Sequence, residues 1–348
     1  MSPHTKTLVS VSLILGTTTT ISSNHWMTAW AGLEINTLAI IPMISKSHHP
    51  RAIEATIKYF LVQATASALL LFSSMINAWS SGQWDTTQMT HPVSCLLLTT
   101  AIAMKLGLVP FHFWYPEVLQ GTSLSTALLL STLMKLPPLT LLLMVSNTLN
   151  PTLLTSMAIL STALGGWMGL NQTQTRKIMA FSSIAHLGWM TIIILYQPKL
   201  TTLTFYLYAM MTATVFMTMN TTKTLNLATM MTSWTKAPML NTTLMLTLLS
   251  LAGLPPLTGF LPKWLIIQEL TKQELTPTAT LITLLSLLSL FFYLRLMYYS
   301  TITIPPNTST NMKQWYINNP TTTMTATLAS TSIALLPLSP MILTLIQT

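Results

Sequence analysis

The sequence predicts an all-α membrane protein of about eleven transmembrane helices, with two inverted five-helix repeats, a broken fourth helix in each, and a C-terminal helix. Three observations predict this class. The 348-residue chain is 51% hydrophobic, only 6% of its residues are charged, and two of its apolar runs are interrupted by glycine and proline. Soluble domains carry about 25% charged residues, so these few charges cannot form a soluble surface. Each span needs roughly 20 apolar residues, and the length accommodates about eleven.

Apolar runs place the helices in order along the chain, and short polar connections separate most of them. The predicted helices are 7–22, 25–45, 57–79, 93–112, 122–145, 151–170, 176–196, 200–222, 239–268, 277–299 and 322–345. Within a single membrane domain, we expect a first repeat at 1–146, a second repeat at 151–300, and a loop with the C-terminal helix at 301–348.

The fourth and ninth runs contain residues that interrupt a helix. The first interruption reads A-M-K-L-G-L-V-P-F-H-F-W-Y-P-E at 103–117, and the second reads L-A-G-L-P-P-L-T-G-F-L-P-K-W-L at 251–265. Paired interrupted helices in corresponding positions of two halves point to an ion or substrate site in transporters. Because each repeat has five helices, an odd number, we expect the second repeat to enter the membrane upside down relative to the first.

The loop charges predict the orientation of the chain. If the N-terminus lies on side one, that side holds Lys6, Lys46, Arg51, Lys58, Arg176, Lys177, Lys223, Lys236, Arg295 and Lys313. Side two then holds Lys199, Lys272, Asp85, Glu269 and Glu274. By the positive-inside rule, side one is the cytoplasmic or matrix side. The asymmetry also favours an odd number of helices, with the two termini on opposite sides.

One glutamate and three lysines lie in the interior of predicted spans. They are Glu34 in helix 2, Lys105 in helix 4, Lys135 in helix 5 and Lys263 in helix 9. Such residues cost about 2.5–3.5 kcal/mol each on insertion scales and mark function by default. A structural salt bridge between Glu34 and Lys105 is the simpler interpretation, but one carboxylate cannot pair with three lysines.

Buried lysines in this number favour a proton relay. Desolvation makes an unpaired lysine release its proton more easily, and a nearby carboxylate opposes this. Arginine stays protonated and does not suit this chemistry. His186, deep in helix 7, is either a neutral core residue or a relay group. His112, beside Trp114, is interpreted as an interfacial anchor.

Several functional classes are excluded by composition. Cys95 is the one cysteine, so the chain cannot ligate an iron–sulfur cluster or form a CxxC zinc site. We therefore expect no redox centre, no bound cofactor and no metal. The net charge of +9 comes from scattered single basic residues, which does not indicate a nucleic-acid partner.

Three segments resemble a known family. The strings A-M-K-L-G-L-V-P-F-H-F-W-Y-P-E-V-L-Q-G, G-G-W-M-G-L-N-Q-T-Q-T-R-K-I-M-A-F-S-S-I-A-H-L-G-W-M and S-L-A-G-L-P-P-L-T-G-F-L-P-K-W resemble the antiporter-like membrane-arm subunits of respiratory complex I, the NADH–ubiquinone oxidoreductase. W-A-G-L-E-I-N around Glu34 and Y-L-R-L-M-Y-Y around Arg295 agree, and the match covers the whole chain in order.

The resemblance implies roles for the buried charges. Glu34 matches the family's helix glutamate, Lys105 the broken-helix lysine paired with it, Lys135 the central bridging lysine, and Lys263 the lysine of the second broken helix. It implies proton translocation in the mitochondrial inner membrane, with the N-terminus in the matrix and the C-terminus in the intermembrane space. NADH, FMN, iron–sulfur clusters and ubiquinone would belong to other subunits.

The implied partners are the neighbouring antiporter-like subunit, small membrane subunits, accessory subunits and inner-membrane lipids such as cardiolipin. The alternative functions are a free-standing cation/proton antiporter and a purely structural scaffold. Four charges on two broken repeats oppose the scaffold. The resemblance opposes the free antiporter, as does the expected lack of three N-terminal helices found in bacterial relatives.

Overall fold

The computed structural model describes residues 3–47, 49–233, 237–301 and 323–341. Over these residues the chain is helical, and the β-type contacts are two isolated bridges. The prediction of an all-α fold is confirmed. Two of the basic loop residues used for orientation, Lys236 and Lys313, lie outside the described residues, as do the last positions of the predicted C-terminal helix.

The chain forms two compact units, residues 1–161 and 162–348. The helices that begin in unit 1 are α1 (Pro3–Ile21), α2 (Trp26–Ile44), α3 (Pro50–Ser81), α4 (Pro92–Leu106), α5 (Trp114–Gly121), α6 (Leu124–Ser131), α7 (Leu136–Met144) and α8 (Pro151–Gly169), the last of which ends in unit 2. The remaining helices of unit 2 are α9 (Thr175–Ile193), α10 (Pro198–Thr222), α11 (Leu227–Ser233), α12 (Pro238–Ala252), α13 (Phe260–Lys272), α14 (Thr276–Thr301) and α15 (Thr323–Ala334).

Among the described residues, five stretches are long and apolar enough to cross a membrane: 26–44, 50–81, 124–144, 198–222 and 276–301. Both predicted broken helices are interrupted. The fourth, predicted as 93–112, ends as α4 at Leu106, and the chain resumes as α5 beyond the predicted end. The ninth is divided into α12 and α13, so no single limb of either has the length of a span. The predicted number of eleven spans stays a prediction.

Many of the abundant threonines bond within their own helices. Thr204 donates to the carbonyl of Thr201 at 2.8 Å, and Thr247 donates to that of Leu244 at 2.9 Å. A hydroxyl that bonds a carbonyl one turn back needs no partner elsewhere. This bonding allows threonine, although it is polar, to occur often in helices that face apolar surroundings.

Each unit contains a similar short bridge between two of its loops. In unit 1, His25 before α2 pairs with Asp85 after α3. In unit 2, Gln174 before α9 pairs with Asn226 after α10. The bridge in each unit therefore ties the start of one long helix to the loop that follows the next.

Candidate functional site

The first helix break begins at Gly107. The φ of this residue is +75°, a left-handed conformation that favours glycine, and its N–H donates to the carbonyl of Ala103 at 2.9 Å. A left-handed glycine just after the last turn is a common way to end a helix. α4 therefore stops at Leu106, and the chain resumes as a helix only at Trp114.

Side chains from two helices satisfy carbonyls left free at the end of α4. Trp114 Nε1 donates to the carbonyl of Met104 at 3.2 Å, and Gln63 Nε2 of α3 donates to that of Lys105 at 3.5 Å. The last carbonyls of a helix lack partners within the helix, and inside a membrane they need another donor. The break is thus stabilised by groups that the rest of unit 1 supplies.

Lys105 is buried at this helix end, with an exposed fraction of 5%. Its Nζ has no hydrogen-bond partner among the described residues, and the same holds for Oε2 of the half-buried Glu34. The glutamate still acts on the lysine electrostatically. The C-terminal end of a helix carries partial negative charge, so the end of α4 also favours a cation at this position.

The resemblance implies that Glu34 pairs with Lys105, but a direct contact between them is not among the ion pairs of the described residues, so the expectation of a direct pair was wrong. The reason lies in the packing. α3 packs against both α2, which carries Glu34, and α4, which carries Lys105. Tyr59 and Gln63 of α3 line the same internal cavity as Lys105. Polar groups of the intervening helix thus occupy the space near the lysine.

That cavity, called cavity 1, joins two of the predicted lysines. Its volume is about 20 Å³, and roughly 10–15 Å³ accommodates one water molecule. Its lining includes both Lys105 and Lys135, as well as Asn36, Thr37, Tyr59, Gln63, Trp114 and Tyr115. Unit 1 therefore holds two lysines around a space of about one water molecule.

Lys135 lies in a 3₁₀ turn, Leu133–Lys135, between α6 and α7. Pro137 and Pro138 follow it directly, and proline removes a helix donor and clashes with the preceding turn. This explains why the apolar run is interrupted here. The side chain is buried, and Nζ lies 4.7 Å from the ring centroid of Tyr115, within the range of a cation–π contact.

The second break begins at Gly253, whose φ is +82°. Lys263, on α13 beyond the break, returns to the end of α12, where Nζ donates to the carbonyl of Ala252 at 2.7 Å. A Cβ atom on Gly253 would lie 2.8 Å from Cδ of Lys263. The glycine thus has two functions, because it permits the left-handed turn and leaves room for the lysine.

A second internal cavity, called cavity 2, contains the other two predicted site residues. It also has a volume of about 20 Å³, and it is lined by His186, Trp189, Met190, Thr204, Tyr208, Met211, Gly259, Pro262, Lys263 and Ile266. The ring centroids of His186 and Tyr208 are 5.3 Å apart, and Nζ of Lys263 lies 5.9 Å from the Trp189 ring. Unit 2 therefore brings the histidine and the lysine to one water-sized space.

His112 is buried rather than interfacial. Its exposed fraction is 1%, and its ring centroid lies 4.2 Å from that of Phe113. The prediction of an interfacial anchor was wrong because the segment between α4 and α5 carries this side chain into unit 1. Its neighbour Phe113 is 63% exposed, so the two adjacent rings have opposite surroundings.

Sequence reasoning missed the uncharged residues that surround the lysines. Tyr59 and Gln63 lie on α3, and Tyr115 and Trp189 lie beside lysines. Gln63 offered a signal, because an amide within an otherwise apolar helix needs a partner. The aromatic residues offered none, since membrane helices carry many aromatic side chains whose positions depend on packing.

A surface ion cluster also holds α5, the helix that follows the first break. Lys58 of α3 contacts Glu54 one turn earlier and lies 2.6 Å from Glu117 of α5. All three side chains are more than one-third exposed, so the cluster positions α5 and stands apart from the buried lysines. Among the described residues, no group of three or more His, Cys, Asp or Glu side chains could hold a metal ion.

Comparisons with known proteins agree over nearly the whole chain. The family model described as NADH:quinone oxidoreductase/Mrp antiporter, TM, matches residues 23–289, and the model described as NADH dehydrogenase subunit 2 C-terminus matches residues 290–343. The chain is 76% identical over 343 residues to the NADH-ubiquinone oxidoreductase chain 2 of Struthio camelus, with 99% of each chain covered. It is 72% identical over 346 residues to the protein of the same name from Gallus gallus, with 99% of this chain and 100% of that one covered.

Two solved structures share the fold. A chain of respiratory complex I from Thermus thermophilus, solved with bound aureothin, aligns with a TM-score of 0.85 at 24% identity, covering 97% of this chain and 78% of that one. A chain of the Mrp complex from Dietzia sp. DQ12-45-1b aligns with a TM-score of 0.78 at 15% identity, covering 84% and 59%. At these identities the likeness concerns the fold alone.

Proposed function

This chain belongs to the NADH:quinone oxidoreductase/Mrp antiporter family and, through its C-terminal region, to the NADH dehydrogenase subunit 2 family, and from this membership we propose that its buried lysines translocate protons. The chain is a membrane-arm subunit of NADH–ubiquinone oxidoreductase, as its full-length relatives at 72–76% identity indicate. It takes part in that enzyme's reaction, and we assign the redox groups of the enzyme to other subunits.

The observation that carries the proposal is a lysine at the C-terminal end of a half-helix in each unit, buried in unit 1 and half-buried in unit 2. Lys105 lies in the last turn of α4, and Lys263 bonds to the last residue of α12. Free carbonyls at a helix end attract a cation without neutralising it permanently, as a tight ion pair would. A lysine held this way can both keep and release a proton.

Each unit also places a second ionisable side chain at the same cavity as its lysine, to which a proton could pass. In unit 1, Lys105 and Lys135 line cavity 1, and Glu34 acts on Lys105 electrostatically. In unit 2, His186 and Lys263 line cavity 2. Each cavity has room for about one water molecule, which could carry a proton between side chains too far apart for direct transfer. We assign Glu34, Lys105, Lys135, His186 and Lys263 to the relay.

We also propose the number of helices, their repeat arrangement and the orientation of the chain in the membrane. Eleven helices in two inverted repeats, with the N-terminus in the matrix and the C-terminus in the intermembrane space, account for the loop charges. The loop bridges at Asp85 and at Asn226 support the equivalence of helices 2 and 3 with helices 7 and 8. We further propose contacts with a neighbouring antiporter-like subunit, small membrane subunits, accessory subunits and inner-membrane lipids such as cardiolipin, in the mitochondrial inner membrane.

A free-standing antiporter is the alternative, and the likeness to the Mrp complex supports it only at the level of the fold. The decisive test is proton uptake per NADH oxidised by the assembled enzyme in vesicles. We expect Lys105→Met to lower this ratio while NADH oxidation continues in uncoupled vesicles. An unchanged ratio in a fully assembled variant would contradict the relay.

A further inference from the structure

An open cavity of about 420 Å³ lies in unit 1 where several helices end together. It is lined by Lys6, Thr7, Ser10, Met43, Lys46, Ser125 and Thr126. α1 and α6 begin at this level, and α2 ends there. Because the ends of membrane helices lie in the headgroup region, this cavity lies where the chain meets the surface of the bilayer.

The lining favours an anion. Lys6 and Lys46 are both exposed, and none of the described residues that line the cavity is a carboxylate. Ser125 and Thr126 belong to the first turn of α6, which follows Ser123 at the N-cap. The first N–H groups of a helix lack partners within it and carry partial positive charge. Two ammonium groups and a helix start together suit a group with several acceptor oxygens, such as a phosphate.

The surface beside the cavity favours a phosphate that carries acyl chains. Lys6, Ser10 and Ile14 follow one another at intervals of four residues along α1 and so lie on one face of the helix. Polar side chains at the cavity are thus succeeded by apolar ones towards the middle of the helix. Val11, Ile14 and Leu15 are each more than half exposed. A free phosphate gains nothing from this apolar strip, whereas a phospholipid would bury it.

We propose that this cavity binds the headgroup of an anionic phospholipid, with Lys6 and Lys46 on the phosphate oxygens and the acyl chains along α1. The inference depends on the chain being a membrane protein and is independent of proton translocation. None of its residues belongs to the proposed relay, so the two proposals can fail separately.

Photolabelling of the assembled complex tests the site. The complex is reconstituted in phosphatidylcholine vesicles containing trace phosphatidylglycerol with a photoreactive acyl chain, and label on residues 8–15 of α1 is quantified by peptide mapping. The K6Q/K46Q variant should lose about thirty-fold in affinity for the labelled lipid, given the contribution of two lysines near an anionic headgroup. The K6R/K46R variant should keep the labelling, because it keeps both charges.

A matched control removes two lysines elsewhere. The K177Q/K223Q variant changes the net charge of the chain equally but leaves the cavity intact, and its labelling should equal that of the parent. Protons per NADH should be unchanged in all three variants.

Several outcomes would overturn the proposal. One is labelling by photoreactive phosphatidylcholine that matches labelling by phosphatidylglycerol. Another is labelling that survives in the K6Q/K46Q variant. Competition by millimolar inorganic phosphate in the absence of any lipid preference would assign the cavity to a soluble anion. Loss of a neighbouring subunit from the K6Q/K46Q complex, with unchanged lipid labelling in the remainder, would assign it to a protein contact.

Discussion

Nζ of Lys263 lies 2.7 Å from the carbonyl oxygen of Ala252, so a lysine beyond the second break caps the helix before it. At the first break, Trp114 and Gln63 provide the donors, and Lys105 stays without a hydrogen bond to any described residue. Each break contains a glycine with a left-handed backbone. The breaks differ in that the lysine of the second break donates to the preceding helix end, whereas the lysine of the first does not. In unit 2, Lys263 is therefore both the helix cap and the proposed proton carrier.

Replacement of Lys263 should separate these two roles. Lys263→Gln keeps a donor for the Ala252 carbonyl and loses the titratable amine, whereas Lys263→Met loses both. A buried carbonyl without its donor costs about 1–3 kcal/mol, so we expect Lys263→Met to assemble less well than Lys263→Gln. Both should lower protons per NADH. The measurements are the amount of assembled complex and proton uptake in vesicles. Full pumping by Lys263→Gln would remove Lys263 from the relay.

Gly253→Ala should impair pumping by displacing Lys263. A left-handed backbone costs a residue with a Cβ about 1–2 kcal/mol, and the new methyl group would also crowd the lysine side chain. Gly82→Ala is the matched control, since Gly82 has a φ of +71° with no atom within 4 Å of an added Cβ. Both variants should lose similar backbone stability, and only Gly253→Ala should lower protons per NADH. Equal pumping by the two would mean that the position of Lys263 does not matter.

Neither arginine nor methionine should be able to replace Lys135 as a proton carrier. Arginine keeps the charge and the contact with the Tyr115 ring but does not release its proton, and methionine keeps bulk without charge. We expect both variants to assemble and to translocate fewer protons per NADH. If Lys135 is instead a structural charge, arginine should restore full pumping and methionine should reduce the amount of assembled enzyme.

Glu34→Gln should slow coupled turnover, although Glu34 forms no direct ion pair with Lys105. The substitution removes the negative charge that acts on the lysine and leaves the size of the side chain almost unchanged. Glu54→Gln is the control, because that carboxylate lies in the surface ion cluster with Lys58, where an exposed pair contributes about 0–1 kcal/mol. NADH-driven proton uptake should fall in the first variant only. Normal uptake with Glu34→Gln would exclude this glutamate from the mechanism.

The orientation can be tested with single cysteines. A Gln83→Cys variant, in the loop after α3, should react with an impermeant maleimide in mitoplasts, in which the outer membrane is removed. An Arg51→Cys variant, at the start of α3, should react only after the inner membrane is permeabilised. The native Cys95 is 7% exposed and should contribute little background. The reverse pattern of labelling would place the N-terminus in the intermembrane space.

Local chemistry determined much of the fold. A composition with so few charges can only fill apolar surroundings, and the clusters of glycine and proline at 107–110 and 253–256 indicated where two helices are interrupted. The positions of both breaks and the burial of Lys105 and Lys135 could therefore be predicted from the sequence. Pro137 and Pro138 account for the irregular turn in which Lys135 lies, because proline removes a helix donor.

Only the tertiary structure decided which groups meet. A helix presents each side chain in a direction set by packing, so spacing along the chain could not reveal that α3 lies against both α2 and α4, which leaves Glu34 and Lys105 without a direct pair. Nor could it show that Lys263 returns to Ala252, that His112 is buried, or that Tyr115 lies beside Lys135. Each of these contacts joins segments whose distance depends on how the helices of one unit pack, and the sequence carries no local signal for that distance.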